Sequence, residues 1–399
     1  MADVAILGGG VIGLGIAWRV AQAGLTVTVV DPDPGSGASR VAAGMLAPVT
    51  EVAFGEEDLL ALNLASAQMF PQFVAELEQD SGLEVGYRTC GTLAVASDAN
   101  DKSELDRLVS YQSELGLTVE VLSPKECRQL EPRLAPGMRG GALVAGDHQV
   151  NPRRLHAALL EAARRAGAHM VPKRAVGIRL SGSRAHPLAR GVDLAGGETL
   201  EASSVVVAMG AWSSALAGVP TGQMPTVRPV KGQILRLWDP GRPGLLEHSV
   251  RALVQGHGVY FVPRLDGEIV LGATVEERGF DDTVTAGGVH DLLRFSHRIL
   301  PGLSELALIE CGASLRPTTA DNAPLIGATD LDGLNLATGH FRNGVLLTPI
   351  TAQAILALMT QGSVVGPAAN FGPSRFYAPS GGGCASSDAR GPSDVTGAG

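Results

Sequence analysis

The chain has 399 residues, is 45% hydrophobic, and carries 31 basic against 40 acidic side chains for a formal net charge of -9. That length holds two domains with sizeable cores, and the apolar content excludes a disordered or linker-like protein over most of it. An acidic chain with no Lys/Arg run repels phosphate backbones, which excludes nucleic acid as a main partner.

Val4 to Leu7 is a short apolar run, expected to be a strand buried on both faces. Glycines at 8, 9, 10, 13 and 15 follow, and then Val11 to Ala23 has helical spacing closed by Gly24. Leu25 to Val30 is a second β-branched strand ending at Asp31, which completes a βαβ unit. From Pro32 to Leu46 the chain reads as a long loop of small residues. Asn151 to Gly167 is a predicted helix with Pro152 in its first turn, and Ala202 to Ala208 a predicted strand running into Met209-Gly210-Ala211-Trp212. Thr226 to Leu237, Val259 to Pro263 and Glu268 to Ala273 alternate as antiparallel strands do. From Pro379 the composition is that of a disordered tail.

The N-terminus lacks a basic n-region and is broken by glycines, and no apolar stretch reaches the ~18 residues of a membrane helix. A soluble, cytoplasmic protein without a membrane partner is expected. Cys90, Cys127, Cys311 and Cys384 have neither metal-finger nor redox spacing, so no metal site is expected and the thiols read as reduced.

Gly8-x-Gly10-x-x-Gly13 lies between a predicted strand and a predicted helix, the setting in which this spacing binds a dinucleotide. Gly8 permits the tight turn, Gly10 lets the backbone approach a pyrophosphate, and Gly13 lets the helix pack close with its N-terminal amides toward the phosphates. Asp31 can accept from a ribose 2′-OH and would repel a 2′-phosphate, which disfavours NADP. The turn by itself serves NAD or FAD equally.

Three further stretches resemble one family. The loop Ala38-Ser39 to Ala43-Gly44-Met45, the run Leu315-Arg316-Pro317 to Gly327, and Gly339-His340-Phe341-Arg342-Asn343-Gly344-Val345-Leu346 are similar, in order and up to about residue 370, to the glycine-oxidase branch of the D-amino-acid oxidase (DAO) family of FAD-dependent oxidoreductases. The resemblance implies an α/β fold. A Rossmann-like FAD-binding domain of the glutathione-reductase type would be assembled from segments 1–82, 147–217 and 315–370. An α+β antiparallel-sheet substrate domain would be inserted at 83–146 and 218–314, and the tail would occupy 379–399.

Non-covalent FAD is implied, with Ser314 where covalently flavinylated relatives carry cysteine. Ser39 would reach the pyrophosphate and Ala43-Gly44-Met45 would lie against the isoalloxazine. Val11, Ile12, Pro32, Ala38, Val176, Gly210 and the stretch His340 to Leu346 would complete the cofactor site. An apolar helix beginning after Asn343-Gly344 would turn its positive end to the ring. Arg316 would clamp a substrate carboxylate, as a planar guanidinium can. Tyr260 would sit over the substrate, and Arg342 would lie near substrate and flavin. The implied reaction is oxidation of glycine, sarcosine or small D-amino acids by hydride transfer to flavin N5, giving an imine and then glyoxylate and ammonia, with O2 reduced to H2O2. A homotetramer and a hand-off to thiazole synthesis in thiamine formation are also implied. One departure stands out: relatives carry histidine two residues before the tyrosine, whereas this chain has Gly258, with His257 expected on the opposite face. A D-amino-acid dehydrogenase feeding a quinone, and a flavin redox sensor without turnover, remain open at this level.

Overall fold

The structure, a computed structural model, describes residues 2–183, 186–220, 222–239 and 244–377; the expected tail lies outside them. Two eight-stranded sheets divide the chain between them. In the first, the strands Leu325–Ala328, Leu334–Thr338, Thr199–Val207, Ala2–Leu7, Val27–Val30 and His169–Val171 lie side by side, parallel except for the first pair. Strands Ala175–Gly182 and Pro187–Leu194 extend antiparallel from Thr199–Val207.

The continuous apolar runs of this sheet are explained by burial on both faces. Val4, Ile6 and Val29 pack under the helices Val11–Gln22, Pro152–Arg165 and Thr348–Gln361, while Ala5, Leu7 and Val30 meet the strands at 175–194. Asn151 caps its helix by accepting from the Arg153 and Arg154 amides at 3.1 and 3.3 Å, with Pro152 in the first turn as expected. The 25-residue helix Glu57–Ser81 had no counterpart among the predicted elements.

The second sheet runs Ala307–Thr318, Arg228–Trp238, Glu268–Gly272, His257–Pro263, Ser249–Val254, Thr92–Ala96, Gly141–Val144 and Glu120–Leu122, antiparallel except where Thr92–Ala96 meets Ser249–Val254. One face (Leu235, Phe261, Leu271) packs against the helix Ala286–Ile299. The other (Ile234, Tyr260, Val262, Val270) meets Val41, Ala43 and Met45 from the loop after Asp31. The strand bearing Arg316 belongs to this sheet through Thr318.

That loop is more ordered than its composition suggested: it holds a short helix, Ala38–Val41, and a strand, Met45–Leu46, paired with His148–Gln149. Two buried arginines tie it to the second sheet. Arg264 donates to the carbonyl of Ala43, and also to Val150 O at 3.0 Å. Arg236 donates to Arg40 O at 3.2 Å and pairs with Glu268 at 2.9 Å. Burial lowers the Arg264 guanidinium to about 10, which still leaves it charged at neutral pH.

The next stretch is fixed by Asp147, which is fully buried and accepts from the amides of Val49 and Thr50 at 3.2 and 2.7 Å and from the Thr50 hydroxyl at 2.7 Å. Desolvation outweighs those donors and raises the carboxyl to about 6. The folded protein therefore favours the neutral acid, whereas the unfolded chain ionises it near 3.8. The Asp147 contribution to stability should fall as pH rises from about 4 to about 6, by on the order of 2 kcal/mol, and then level off. Denaturant titrations of wild type and Asp147→Asn across that range test this: the stability difference between the two should change by that amount, and parallel pH profiles would contradict it.

Candidate functional site

One cavity of about 660 Å³ lies between the two sheets, within the range of small-molecule sites. At one end it is lined by Gly8, Gly10, Val11, Ile12, Asp31 and Pro32, and elsewhere by Ala38, Ser39, Ala43, Gly44, Met45, Val176 and Gly210. Tyr260, Arg316, His340, Phe341, Arg342, Gly344 and Val345 complete the expected set on its wall.

The glycine turn has a separate steric reason at each position. A Cβ on Gly13 would fall 1.9 Å from Gly8 O, so only glycine lets the helix sit this close to the strand. Gly8 has φ +111°, and a Cβ there would meet Ala208 O at 2.3 Å. At Gly10 the nearest atom to a Cβ would be Ser39 Oγ at 3.2 Å, and the residue lines the cavity. Its hydrogen therefore keeps space open for a ligand rather than for the fold. Gly10 caps the helix with no side-chain bond, which leaves the first turn's amides for an anion; Val11 N alone donates to Ser39 Oγ, at 3.1 Å. Asp31 accepts from the Gly9 and Asp33 amides at 2.6 and 2.8 Å, one on each oxygen. Each oxygen keeps a further lone pair for a hydroxyl.

At the other end Arg316 extends over Gly232, where a Cβ would lie 2.3 Å from the guanidinium nitrogens. Its Nη1 donates to Lys231 O and Thr274 O at 3.3 and 3.1 Å. Tyr260 likewise lies over Gly272, whose Cβ would meet the phenol oxygen at 2.3 Å. Burial, opposed by the Arg316 charge and reinforced by Glu51, raises the Tyr260 phenol, so it remains an O–H donor. The backbone then links this end to the 339–344 turn: Phe341 N donates to Pro317 O at 2.7 Å, and Thr318 bridges to His340.

His340 is on the wall but buried, with Nε2 3.0 Å from Thr351 Oγ1, and desolvation lowers it to about 3. Arg342 is on the wall too, yet its guanidinium pairs with the Glu56 carboxylate and meets Glu51 O at 3.4 Å. Gly13, Asn343 and Leu346 are not on the cavity wall: Gly13 is the helix–strand contact, and Asn343 and Leu346 are buried, with Leu346 O accepting from Ser66 Oγ at 2.6 Å. The helix begins at Thr348, a turn later than expected, because residues 344–347 form a non-helical turn. His257 is exposed and stacks on Phe295, away from Tyr260 as the strand period requires, and a Cβ on Gly258 would meet nothing within 4 Å.

Sequence reasoning missed Glu51, held by Arg251 at 2.5 Å, and Trp212, which also line the cavity. Glu51 comes from a stretch without a periodic or motif signal, and Trp212 from the run after the predicted strand in which only Gly210 was expected to line the site. Among the described residues no cluster could hold a metal ion, and no helix is long and apolar enough to cross a membrane.

A family model described as FAD dependent oxidoreductase (DAO) matches residues 3–358, and the chain belongs to that family. It is 35% identical to a glycine oxidase of Geobacillus kaustophilus over 90% of this chain and 92% of that protein. The crystal structure of glycine oxidase from the same organism superposes with a TM-score of 0.85 at 34% identity, covering 94% of this chain and 98% of the other. The chain is also 34% identical to the bifunctional protein ThiO/ThiG of Trichormus variabilis, of which it spans 55%. The cofactor is FAD. The cavity fits it: side-chain-free walls and open helix amides stand at the Asp31 end, and a broad apolar wall at Ala43 and Met45 lies further on.

Gly10→Val should therefore fold as the wild type does but retain at least tenfold less FAD, read as flavin absorbance per protein after gel filtration. Wild-type flavin content would contradict the assignment of that end. The His340 ring should stay neutral, its 15N shifts unchanged from pH 5 to 9; a titrating ring would show that water reaches it.

Proposed function

We propose that the protein oxidises glycine, with sarcosine and small D-amino acids as further substrates, to an imine that water converts to glyoxylate and ammonia. O2 is reduced to H2O2. One observation carries the reading: among the described residues Arg316 has no carboxylate partner, yet its guanidinium faces the cavity that also holds the glycine turn. A partly buried cation that faces the cavity with only carbonyl partners is open to an anion, and a substrate carboxylate supplies it.

Gly8, Gly10, the first turn of the Val11–Gln22 helix and Asp31 would hold the ADP half of FAD, and Ala43, Gly44 and Met45 would flank its ring. When bound, FAD supplies the two-electron acceptor for the hydride on the substrate Cα and passes the electrons to O2. The chain's own part is placement. Arg316 fixes the carboxylate, and the neutral Tyr260 phenol donates a second bond to it while its ring closes the space above Cα. His340 is held neutral and is no candidate for a base, so the substrate amine gives up its own proton to water before oxidation. Ser314 on the wall supports non-covalent attachment. Similarity to a ThiO/ThiG protein supports delivery of the imine to thiazole formation; a homotetramer and a cytoplasmic site of action belong to the same proposal.

Arg316→Ala should lower kcat/KM for glycine by roughly 100- to 1000-fold, about 3–4 kcal/mol, with the flavin spectrum unchanged. Tyr260→Phe should cost about tenfold. A peroxide-coupled assay reads both; wild-type kcat/KM in Arg316→Ala would overturn the reading.

A further inference from the structure

Arg316 is aimed by oxygens that lie outside its own strand. Its two carbonyl partners belong to Lys231 and Thr274, so the guanidinium follows how residues 273–276 lie along the strand Arg228–Trp238. Main-chain bonds define that crossing: Lys231 N donates to Glu276 O at 2.8 Å, Glu276 N to Lys231 O at 3.0 Å, and Thr274 N to Gln233 O at 3.2 Å. Lys231 O thus accepts from both Glu276 N and Arg316 Nη1.

Side chains on the opposite face lock the same crossing. Lys231 pairs in register with Leu315, and Arg316 with Val230, so Lys231 and Arg316 point to opposite faces of the sheet. Lys231 is fully buried, its Nζ 3.2 Å from Glu276 Oε2 and 3.7 Å from Asp281 Oδ2, and it donates to Thr283 O at 3.1 Å. Gln233, also fully buried, donates to Glu276 Oε1 at 2.6 Å and to Thr285 Oγ1 at 3.0 Å, and Thr274 Oγ1 donates to Glu276 Oε1 at 2.6 Å.

A buried ammonium is costly even when paired, and an apolar residue would stabilise the sheet at least as well. Leu235 and Leu237 fill the same face further along this strand. Neither Lys231 nor Glu276 lines the cavity. What the pair does, beyond packing, is determine where two carbonyls stand beneath the Arg316 guanidinium.

We propose that Lys231 and Glu276 are positioning residues for the carboxylate clamp: the pairing of the buried Lys231 with the partly exposed Glu276 presents the Lys231 and Thr274 carbonyls to Arg316 and so sets where the guanidinium meets a substrate carboxylate. This rests on the reading of Arg316 given above.

Glycine and glycinamide share an amine and a Cα and differ in the charge Arg316 would hold. The ratio of their kcat/KM values therefore reads the clamp alone. With the flavin-loaded enzyme, Arg316→Ala should collapse the ratio. Lys231→Met and Glu276→Gln should each lower it about tenfold through a higher KM for glycine, with kcat for glycine and the flavin spectrum near wild type. The inhibition constant of acetate should rise by the same factor. If Lys231→Met does not fold, Glu276→Gln decides by itself. An unchanged ratio in the foldable variants, or equal losses for both substrates, would overturn the inference while leaving Arg316 as the clamp. A wild-type ratio in Arg316→Ala would overturn both.

Discussion

The site depends on how the loop after Asp31 is held between the two sheets. Arg264 and Arg236 reach from the second sheet to the carbonyls of Ala43 and Arg40, and Arg153 adds a bond to Arg40 O at 3.1 Å. The terminal nitrogens of both buried guanidiniums find these carbonyls, although the Nε of each has no hydrogen-bond partner, so the arginines tie the loop's path to the separation of the sheets. Released from that tie, the small residues of the loop would have little to hold them. With it, Ala43, Gly44 and Met45 form one wall of a cavity whose other walls come from both sheets.

The two ends of that cavity use glycine in different ways. At the Gly8–Gly13 turn the missing side chains allow backbone to approach backbone and leave amides open for an anion. At the far end Gly232 and Gly272 leave room for Arg316 and Tyr260 to lie flat across neighbouring strands. A bulky residue at either strand position would expel the functional side chain without disturbing the hydrogen-bond ladder beneath it. Charge is also divided: Arg342 and Arg251 are neutralised by Glu56 and Glu51, whereas among the described residues Arg316 has no carboxylate partner.

Much of this was legible beforehand, because it rests on short-range patterns. The βαβ unit, the Asn151-capped helix and the alternating strands each carry a period or a cap that local physics enforces. All but three of the expected site residues line one cavity. The exceptions are instructive: Gly13, Asn343 and Leu346 belong to the motif strings, but their work is packing the elements that present their neighbours. Contacts between distant segments were not legible. Nothing near Glu56 announces that it will neutralise Arg342 across 286 positions of chain, and nothing near Lys231 announces that this buried ammonium will pair with Glu276. Those depend on how distant segments come together, which the sequence does not encode locally.

On this reading one cavity holds FAD at the glycine turn and an amino acid at Arg316, close enough for electrons to pass. Anaerobic mixing of the FAD-loaded protein with glycine tests it directly through the flavin band near 450 nm. The band should bleach with saturable dependence on glycine and recover with H2O2 release on admission of air. A band that persists with glycine, sarcosine and D-alanine alike would contradict the account.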